Sequence, residues 1–502
     1  MARLFDCVVL CGLIFCLSAA GLCAAEYHVN HNGTGDFEAI QDAIDGAVDG
    51  DVVIVHPGTY HENIHFDGKN IVLRSTDPEN NHIVASTVID GSQNGTTVMF
   101  AGTENDTCLL SGLTITNGES YDVGGISGNA ALAAISYCTI SANVGRYGGG
   151  VDDCDGSIAN CAITGNTAME GGGLYDCDGA ITDCTVTDNS TTDSYGGGLG
   201  DCNGVISNCT ISGNSAAGYG GGIGCCGGSI TNCAVSGNSA DYGGGLAYCG
   251  EAITGCTITG NAGTSYGGGL FQCDGALTNC IVWRNEAPED PELRECTTTV
   301  AHCCIRNWTG GGEGNISSDP LFTEGPLGDY YLSCRDAGQN SNSPCIDAGN
   351  DTASSLGLDR RATRTDNVRD TGVVDMGYHY LIQPTIHCSL NAAHFSPGDL
   401  LTASVEAQNQ GNAVSVDVYI GFILPDGTIF CYVGTGLVGG IVPWFEAISL
   451  PAGFHYGPAE VLRLNVPGGL PAGDYLFGAA LSKPGRVEFI GQPSLFPFNI
   501  TE

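Results

Sequence analysis

Repeated aspartates are the first residues in this chain that could do chemistry. Asp153, Asp176 and Asp201 each stand directly before a cysteine, at steps of 23 and 25 residues, and Asp155 and Asp178 follow two of these cysteines. If the copies stack at the strand spacing of about 4.8 Å, the carboxylates form two columns with neighbours about 5 Å apart. Such columns suit a calcium ion, which binds flexible clusters of oxygen ligands, or the acid and base of a glycosidase. A solvated acidic face is the third alternative.

A second repeated feature is aromatic. A tyrosine precedes a run of three glycines in five copies, at Tyr147, Tyr195, Tyr219, Tyr242 and Tyr266, and Glu170 takes this place in one further copy. Tyrosine offers apolar area with a hydrogen-bonding tip, which suits sugar rings. A tyrosine ladder also supports the turn beneath it. We therefore expect Tyr195, Tyr219, Tyr242 and Tyr266 either to contact a ligand or to support the turns.

These residues recur because the chain is built from repeats. The glycine triplets begin at Gly148, Gly171, Gly196, Gly220, Gly243 and Gly267, so the period is 23 to 25 residues. Each copy holds short β-type runs such as GVISNCTIS, separated by Gly and Asn, which excludes helical solenoids. A period of this length with three short strands per turn predicts an all-β fold, a right-handed parallel β-helix.

Stacking turns each repeated position into a column. Glycine is expected where φ is positive or backbones approach closely. The isoleucines from Ile158 to Ile253 and from Ile163 to Ile258 are predicted as buried aliphatic columns. The asparagines that close each copy, from Asn143 to Asn285, are predicted to cap buried backbone groups through an amide ladder.

The predicted organisation has four parts. Residues 1–25 have the plan of a signal peptide, and residues 26–318 form the β-helix, with an N-terminal cap over 26–90 and regular coils over 119–285. The segment DFEAIQDAIDGAVDG in the cap predicts an amphipathic helix that covers the first coil. Residues 319–383 form an end segment. Residues 384–502, with alternating runs split by Pro and Gly, predict a C-terminal β-sandwich accessory domain.

Composition limits the partners. The formal net charge is −40, with 55 acidic against 15 basic residues, which argues against nucleic acid and anionic membranes. No apolar run of membrane-spanning length follows the signal peptide, so we expect no transmembrane segment in the mature chain. The sequence has 26 cysteines, four of them in the signal peptide. Most of the rest fall in two columns, which suit disulfides between neighbouring coils or, as we favour, stacked reduced thiols.

The GGG and GN repeats, with DPLF, GDYYLS, NSPCIDAGND and VVDMGYHY after residue 318, carry a resemblance to known proteins. The chain resembles bacterial right-handed β-helix proteins of the pectin-lyase-like superfamily, with repeats similar to those of polymorphic outer membrane proteins. Its residues 319–380 resemble the choice-of-anchor segment of such proteins. The resemblance implies export and exposure at the cell surface.

Enzymes of that superfamily include pectate lyases and polygalacturonases. Their lyases need a Lys or Arg near the substrate, but Arg146 is the one basic residue between Arg74 and Arg284. Of the hydrolase motifs, only the paired Asp152 and Asp153 find a counterpart. We therefore predict a secreted or cell-surface protein, without catalytic residues, that acts in adhesion or in binding extracellular polysaccharide or another cell-surface component, with calcium as its candidate cofactor. A polysaccharide lyase or glycoside hydrolase acting on acidic polysaccharide is the alternative.

Overall fold

The structure, a computed structural model, describes residues 24–296, 299–434, 436–486, 489–491 and 493–501. The predicted signal peptide therefore lies almost wholly outside the described residues. From residue 26 to residue 305 the chain winds as a β-solenoid of about 12 turns. Strands of successive coils pair in parallel and in register, as Ile181 does with Ile206 and Ile206 with Ile230.

Three parallel sheets form the walls of the solenoid. Sheet 1 has 12 strands: Glu26–Val29, Val52–Val55, Val72–Ser75, Leu109–Ser111, Ala134–Ser136, Ile158–Ala159, Ile181–Thr182, Ile206–Ser207, Ile230–Thr231, Ile253–Thr254, Leu277–Thr278 and Val300–Ala301. Sheet 2 has 11 strands: Gly58–Tyr60, Thr87–Asp90, Thr114–Thr116, Thr139–Ser141, Ala162–Thr164, Thr185–Thr187, Thr210–Ser212, Ala234–Ser236, Thr257–Thr259, Ile281–Trp283 and Cys304–Ile305.

Sheet 3 lies between the tyrosines that precede the glycine triplets and the repeated aspartates. It has 10 strands: Ile64–His65, Val98–Met99, Ile126–Ala131, Val151–Cys154, Leu174–Tyr175, Leu199–Gly200, Ile223–Gly224, Leu246–Ala247, Leu270–Phe271 and Leu293–Arg294. A side ladder of five strands lies between sheets 2 and 3: Thr167–Ala168, Ser190–Thr191, Ser215–Ala216, Ser239–Tyr242 and Ala262–Tyr266.

The predicted aliphatic columns are confirmed as the core of the solenoid. Ile181, Ile206 and Ile211 have no exposed surface and belong to one continuous hydrophobic cluster that runs from the first coil to the last. The cysteine columns lie in the same cluster, and all 22 cysteines after Cys23 are free thiols. Cys209 is typical, because its Sγ donates to the carbonyl oxygen of Ser207 at 3.2 Å.

The predicted asparagine ladder is also confirmed. The side chain of Asn214 is fully buried. Its Oδ1 accepts hydrogen bonds from the backbone N and the Nδ2 of Asn189, both at 3.0 Å. Its Nδ2 donates to the carbonyl oxygen of Val186 at 2.9 Å and to Oδ1 of Asn238 at 3.0 Å. Each asparagine therefore satisfies groups in three coils.

The prediction of an N-terminal helical cap is wrong. The segment forms only a seven-residue helix, Ile40–Gly46, and helices are too few and too short here to make a distinct cap. Ile40 and Ile44 are buried, but Val48, expected on the same face, is 56% exposed because the helix has already ended. The carboxylate of Glu62 accepts a hydrogen bond from the first backbone amide of the helix, with its Oε1 2.9 Å from the N of Ile40. The described part of the chain has one more α-helix, Asn81–Ser86.

The end segment packs against the solenoid. It contains the hairpin strands Phe322–Gly325 and Gly328–Leu332, a 3₁₀ turn at Arg335–Ala337 and the paired strands Arg361–Ala362 and Tyr380–Leu381. The backbone N of His379 donates to Oδ1 of Asn232 at 2.7 Å, and the Nδ2 of Asn232 donates to the carbonyl oxygen of His379 at 3.1 Å. The segment is thus hydrogen-bonded to turns of the solenoid far away in sequence.

Two further sheets follow residue 384. One is antiparallel: Thr385–Leu390, Leu400–Asn409 and Phe454–Asn465. The other is mixed: His394–Phe395, Ser494–Ile500, Gly473–Ser482, Val414–Ile423, Ile429–Tyr432, Leu437–Gly439 and Phe445–Leu450. Val405 from the first sheet and Phe477 from the second belong to one hydrophobic cluster. None of the helices within the described ranges is long and apolar enough to cross a membrane.

Candidate functional site

Six consecutive coils reach sheet 3 through a turn of three glycines, and each glycine of the turn is required. Gly196 has a φ of +69°, a conformation that L side chains rarely adopt. A Cβ on Gly197 would lie 2.4 Å from the carbonyl oxygen of Gly221, and one on Gly198 would lie 2.7 Å from that of Gly222. The backbone of the next coil therefore leaves no room for a side chain, as the sequence predicted.

The outer face of sheet 3 is set by strand alternation. Leu199 and Leu270 point into the core, so the residue after each of them points outward. This outward column is Asp152, Tyr175, Gly200, Gly224, Ala247 and Phe271 in successive coils. Its small members leave space beside the tyrosines of the preceding turns, because a Cβ on Gly224 would lie 3.2 Å from Cβ of Tyr195.

The tyrosines that precede the glycines and the rings of the outward column form a row along this face, which we call the aromatic strip. Its ring contacts fall into two groups, one ending at Tyr195 and one beginning at Tyr219, and a backbone bridge joins these two tyrosines. The strip consists of Tyr147, Tyr175, Tyr195, Tyr219, Tyr242, Tyr248, Tyr266 and Phe271. The ring centroids of Tyr219 and Tyr242 are 5.1 Å apart with planes at 22°, and those of Tyr242 and Tyr266 are 5.9 Å apart with planes at 25°. These tyrosines are half-buried, so part of each ring contacts solvent.

All four predicted ligand-binding tyrosines lie on this strip, but three of its rings were missed. Tyr175 and Phe271 follow the glycine triplet instead of preceding it, and Tyr248 lies one residue further along its turn. Alternation along the short strand after the glycines, in at Leu174 and out at Tyr175, would have found the first two. The hydroxyl groups of Tyr175 and Tyr195 are 3.4 Å apart.

An arginine covers each end of the strip. The guanidinium carbon of Arg146 lies 4.9 Å from the ring centroid of Tyr147, and that of Arg294 lies 4.8 Å from the ring centroid of Tyr266. Arg294 is also paired with Asp290. Two faces of the strip are therefore occupied by cations from the chain itself.

The first predicted acidic column lies beside the strip, at the turn after sheet 3. Asp153, Asp176 and Asp201 are half-buried and have φ values of 52°, 50° and 54°. Aspartate tolerates this left-handed conformation better than most residues. The conformation does not require it, since Cys225 and Tyr248 adopt φ values of 58° and 55° at the same position in later coils. Burial, and then neighbouring carboxylates, raise the pKa of all three aspartates.

The second predicted acidic column lies further along the same turn. Asp155 is half-buried and Asp178 is exposed. Oδ1 of Asp178 accepts hydrogen bonds from the backbone N and the Nδ2 of Asn203, at 3.1 and 2.9 Å. Oδ1 of Asn203 in turn accepts from the N of Gly227 at 3.0 Å. This column therefore links successive turns by side-chain hydrogen bonds as well as carrying charge.

Asp152 is the carboxylate whose environment is most perturbed within the strip. Burial raises its pKa to about 7, and the charges of Asp153, Asp122 and Asp176 add to the effect. Its register partner in the next coil is Tyr175, so it stands at one end of the outward column. In the sequence, Asp152 stands out only as half of an acidic pair with Asp153.

A separate acidic group lies in the end segment. Oxygens of Asp347, Asp370 and Asp375 lie within 4.8 Å of one another. Burial, with the charge of Asp370, raises the pKa of Asp375 to about 6. Nε2 of the fully buried His379 lies 2.9 Å from Oδ2 of Asp370, while its Nδ1 donates to the carbonyl oxygen of Gly377 at 2.9 Å. The group stabilises the loop that carries the contact with Asn232.

Comparison with known proteins supports the solenoid and goes no further toward a function. No curated protein matches the chain significantly. Residues 124–315, which include the aromatic strip and both acidic columns, match a family model described as a right handed beta helix region. The solenoid of this chain thus contains a right-handed β-helix region.

Proposed function

We propose that this chain is an exported, surface-associated β-helix protein that binds extracellular polysaccharide in adhesion, without catalysing a reaction. The observation that carries the proposal is the aromatic strip, a row of rings along one face of the solenoid, most of them half-buried. The signal-peptide pattern and the choice-of-anchor resemblance support export. The two C-terminal sheets, with their shared core, support a β-sandwich accessory domain.

The strip suits a polymer better than a small molecule. Rings recur once per coil, with a rise of about 4.8 Å, which is close to the length of one pyranose unit in an extended chain. Because the rings stack on one another, they offer a sugar chain their apolar edges and the hydroxyl groups of tyrosine, which bind sugar hydroxyls. The face is open along several coils, whereas a small ligand would need an enclosing pocket.

The test is binding of the purified full chain to a panel of neutral and acidic polysaccharides, with cleavage measured in the same samples. The double variant Tyr219→Ala, Tyr242→Ala should weaken binding roughly tenfold or more, because it removes two adjacent rings together with their hydroxyl groups. Tyr456→Ala is the matched control, since Tyr456 is 42% exposed and lies in the C-terminal sheets. An equal loss in both variants, or no binding to any polysaccharide, would contradict the proposal.

Surface exposure is tested separately. Antibodies against the folded chain should label intact cells of the native host, and the exported protein should begin near residue 26. Protein found only inside the cell, with its first 25 residues retained, would remove the extracellular part of the proposal.

A second candidate function, an acidic-polysaccharide lyase or glycoside hydrolase, is favoured by Asp152 alone. A carboxyl group with its pKa near 7 beside ionised neighbours is the arrangement of a general acid and its partner. Cleavage products that disappear in Asp152→Asn would support hydrolysis. Unsaturated products from a uronate polymer that disappear in Arg146→Ala would support a lyase.

A further inference from the structure

The aromatic strip already binds cations at both ends. Arg146 lies over Tyr147 and also 5.6 Å from the ring centroid of Tyr121, and Arg294 lies over Tyr266. A cation over a tyrosine face is attracted by the negative face of the ring. These contacts show that the rings of this strip present faces to positive charge.

Between the two arginines the strip has carboxylates and no cation of its own. From residue 147 to residue 283 the sequence contains no Lys, Arg or His. Asp152, Asp176 and Asp201 form no ion pair with any residue within the described ranges. The middle of the strip is therefore an aromatic face beside unneutralised negative charge.

The carboxylates stand among the rings, because Glu170 is the bridge partner of Tyr147 and Asp152 is the register partner of Tyr175. Asp176 directly follows Tyr175 in the sequence. Burial, together with the charges of Asp201 and Glu170, raises the pKa of the Tyr195 hydroxyl. Burial and the charges of Asp153, Asp122 and Asp176 raise the pKa of Asp152 in the same way. A ligand lying on the rings would consequently lie within the field of several carboxylates.

We infer that the aromatic strip selects glycans whose sugars carry free amino groups, a ligand class that deepens the proposed function and rests on it. The rings stack on one another, so their edges and hydroxyl groups would contact the pyranose units. The ammonium groups would pair with the carboxylates of Asp176 and Asp201 and with Glu170. Uronate polymers are disfavoured by repulsion from the same carboxylates. Neutral glycans make the contacts with the rings but form no charge pairs with the carboxylates.

The experiment is isothermal titration of the full chain with matched β-linked hexasaccharides near neutral pH and at low salt. The probes are a glucosamine hexamer, the same hexamer with N-acetylated amines, a glucose hexamer and a galacturonate hexamer. We expect the glucosamine hexamer to bind about tenfold more tightly than the acetylated and glucose hexamers, and this preference to shrink as salt is added. The galacturonate hexamer should bind most weakly.

Two variants separate the contribution of the carboxylates to binding from the contribution of the rings. Asp176→Asn with Asp201→Asn should abolish the preference for free amines, so that this variant binds the glucosamine and acetylated hexamers equally. The Tyr219→Ala, Tyr242→Ala variant should weaken binding of every hexamer. Asp188→Asn is the matched control, because Asp188 is an exposed aspartate with a φ of 55° that lies between sheet 2 and the asparagine ladder. Melting curves confirm that each variant is folded.

The outcomes are distinct. Equal affinity for free, acetylated and neutral hexamers overturns the inference and leaves the proposed function standing. Binding of polylysine with the same dependence on Asp176 and Asp201, but of no glycan, shows that the ligand is a basic polypeptide and overturns both. Binding of no probe at all overturns both as well.

Discussion

At the scale of single residues, the solenoid concentrates charge without neutralising it. Asp152 and its neighbours on sheet 3 stand close together, and burial adds to their mutual repulsion. An isolated carboxylate on a surface loop would ionise at its ordinary pKa. Here the fold itself raises the free energy of the ionised form, so stability and pH are coupled through these residues.

The pKa of Asp152 gives the direction of that coupling. Its ordinary value is 3.8 and its folded value is about 7, so the folded chain binds more protons than the unfolded chain between these pH values. The contribution of Asp152 to stability is therefore fully present below about pH 4 and is lost as the pH rises through about 7. Asp152→Asn should raise the free energy of unfolding by on the order of 2 kcal/mol above pH 7, after allowance for solvent screening, and change it little near pH 4.

Thermal unfolding of both proteins across this pH range checks the prediction. Asp188→Asn serves as the control for removal of one carboxylate, because the Asp188 side chain is exposed. A stabilisation by Asp152→Asn that is equal at low and high pH would show that the raised pKa is not its cause.

Calcium is a second prediction at this scale. Neighbouring carboxylates about 5 Å apart repel each other by on the order of 1 kcal/mol per pair in water, and a bridging cation would relieve this repulsion. If Asp153, Asp155, Asp176, Asp178 and Asp201 hold calcium, millimolar calcium should raise the melting temperature. The triple change of Asp153, Asp176 and Asp201 to Asn should abolish that rise and stabilise the calcium-free chain.

Differential scanning fluorimetry with calcium, magnesium and a chelator tests this site. Magnesium controls for simple screening of charge, because it prefers a tighter octahedral shell. A melting temperature that does not respond to calcium removes the metal site from this surface.

At the scale of elements, the repeat determined what could be predicted. The aliphatic, asparagine and glycine columns follow from local sequence and one period, because each coil meets only its neighbours. The missing helical cap could not be predicted in this way. Its apolar pattern is real, yet the helix ends at Gly46 and Asp51 binds the N of Val48 at 2.9 Å.

The asparagine ladder gives the prediction for this scale. Asn214→Ala leaves the buried backbone N and Nδ2 of Asn189 without their acceptor and the carbonyl oxygen of Val186 without its donor. Since each unsatisfied buried group costs about 1–3 kcal/mol, we expect a loss of about 3 kcal/mol or more in the free energy of unfolding. Chemical denaturation measures it.

Asn203→Ala is the control for the ladder. Asn203 also bonds to neighbouring coils, but its side chain is exposed, and water replaces the lost partners. It should cost well under 1 kcal/mol, as most surface substitutions do. A similar loss in both variants would mean that burial of the ladder adds nothing.

At the scale of the whole molecule, long-range contacts were beyond sequence analysis. His379 lies outside the repeats and 147 residues after Asn232, so the repeat period could not predict the hydrogen bond between them. The same holds for Arg486, whose Nη2 binds both carboxylate oxygens of Asp77 at 2.9 Å. The C-terminal sheets therefore contact an early coil of the solenoid.

A truncation that ends at Tyr380 tests how independent the parts are. Residues 26–380 should stay folded and melt cooperatively, because the solenoid core and the C-terminal core are separate clusters. We expect a small fall in melting temperature, matched by Arg486→Ala in the full chain, which removes the contact with Asp77. Aggregation of the truncated chain, while the full chain remains monomeric, would contradict the boundary.

The asparagine ladder also bears on how long such a protein can be. Its two ends are specified individually: the first oxygen accepts from the N of Gly118 at 2.9 Å, and the last amide donates to the carboxylate of Glu292 at 2.7 Å. Every rung between them makes the same bonds to its neighbours. If a duplicated coil were inserted between Asn189 and Asn214, its asparagine could hydrogen-bond to both of these residues. The two ends of the ladder would keep their present partners. Length is thus a quantity that gene duplication can change one coil at a time, lengthening or shortening the exposed face without redesign of the core.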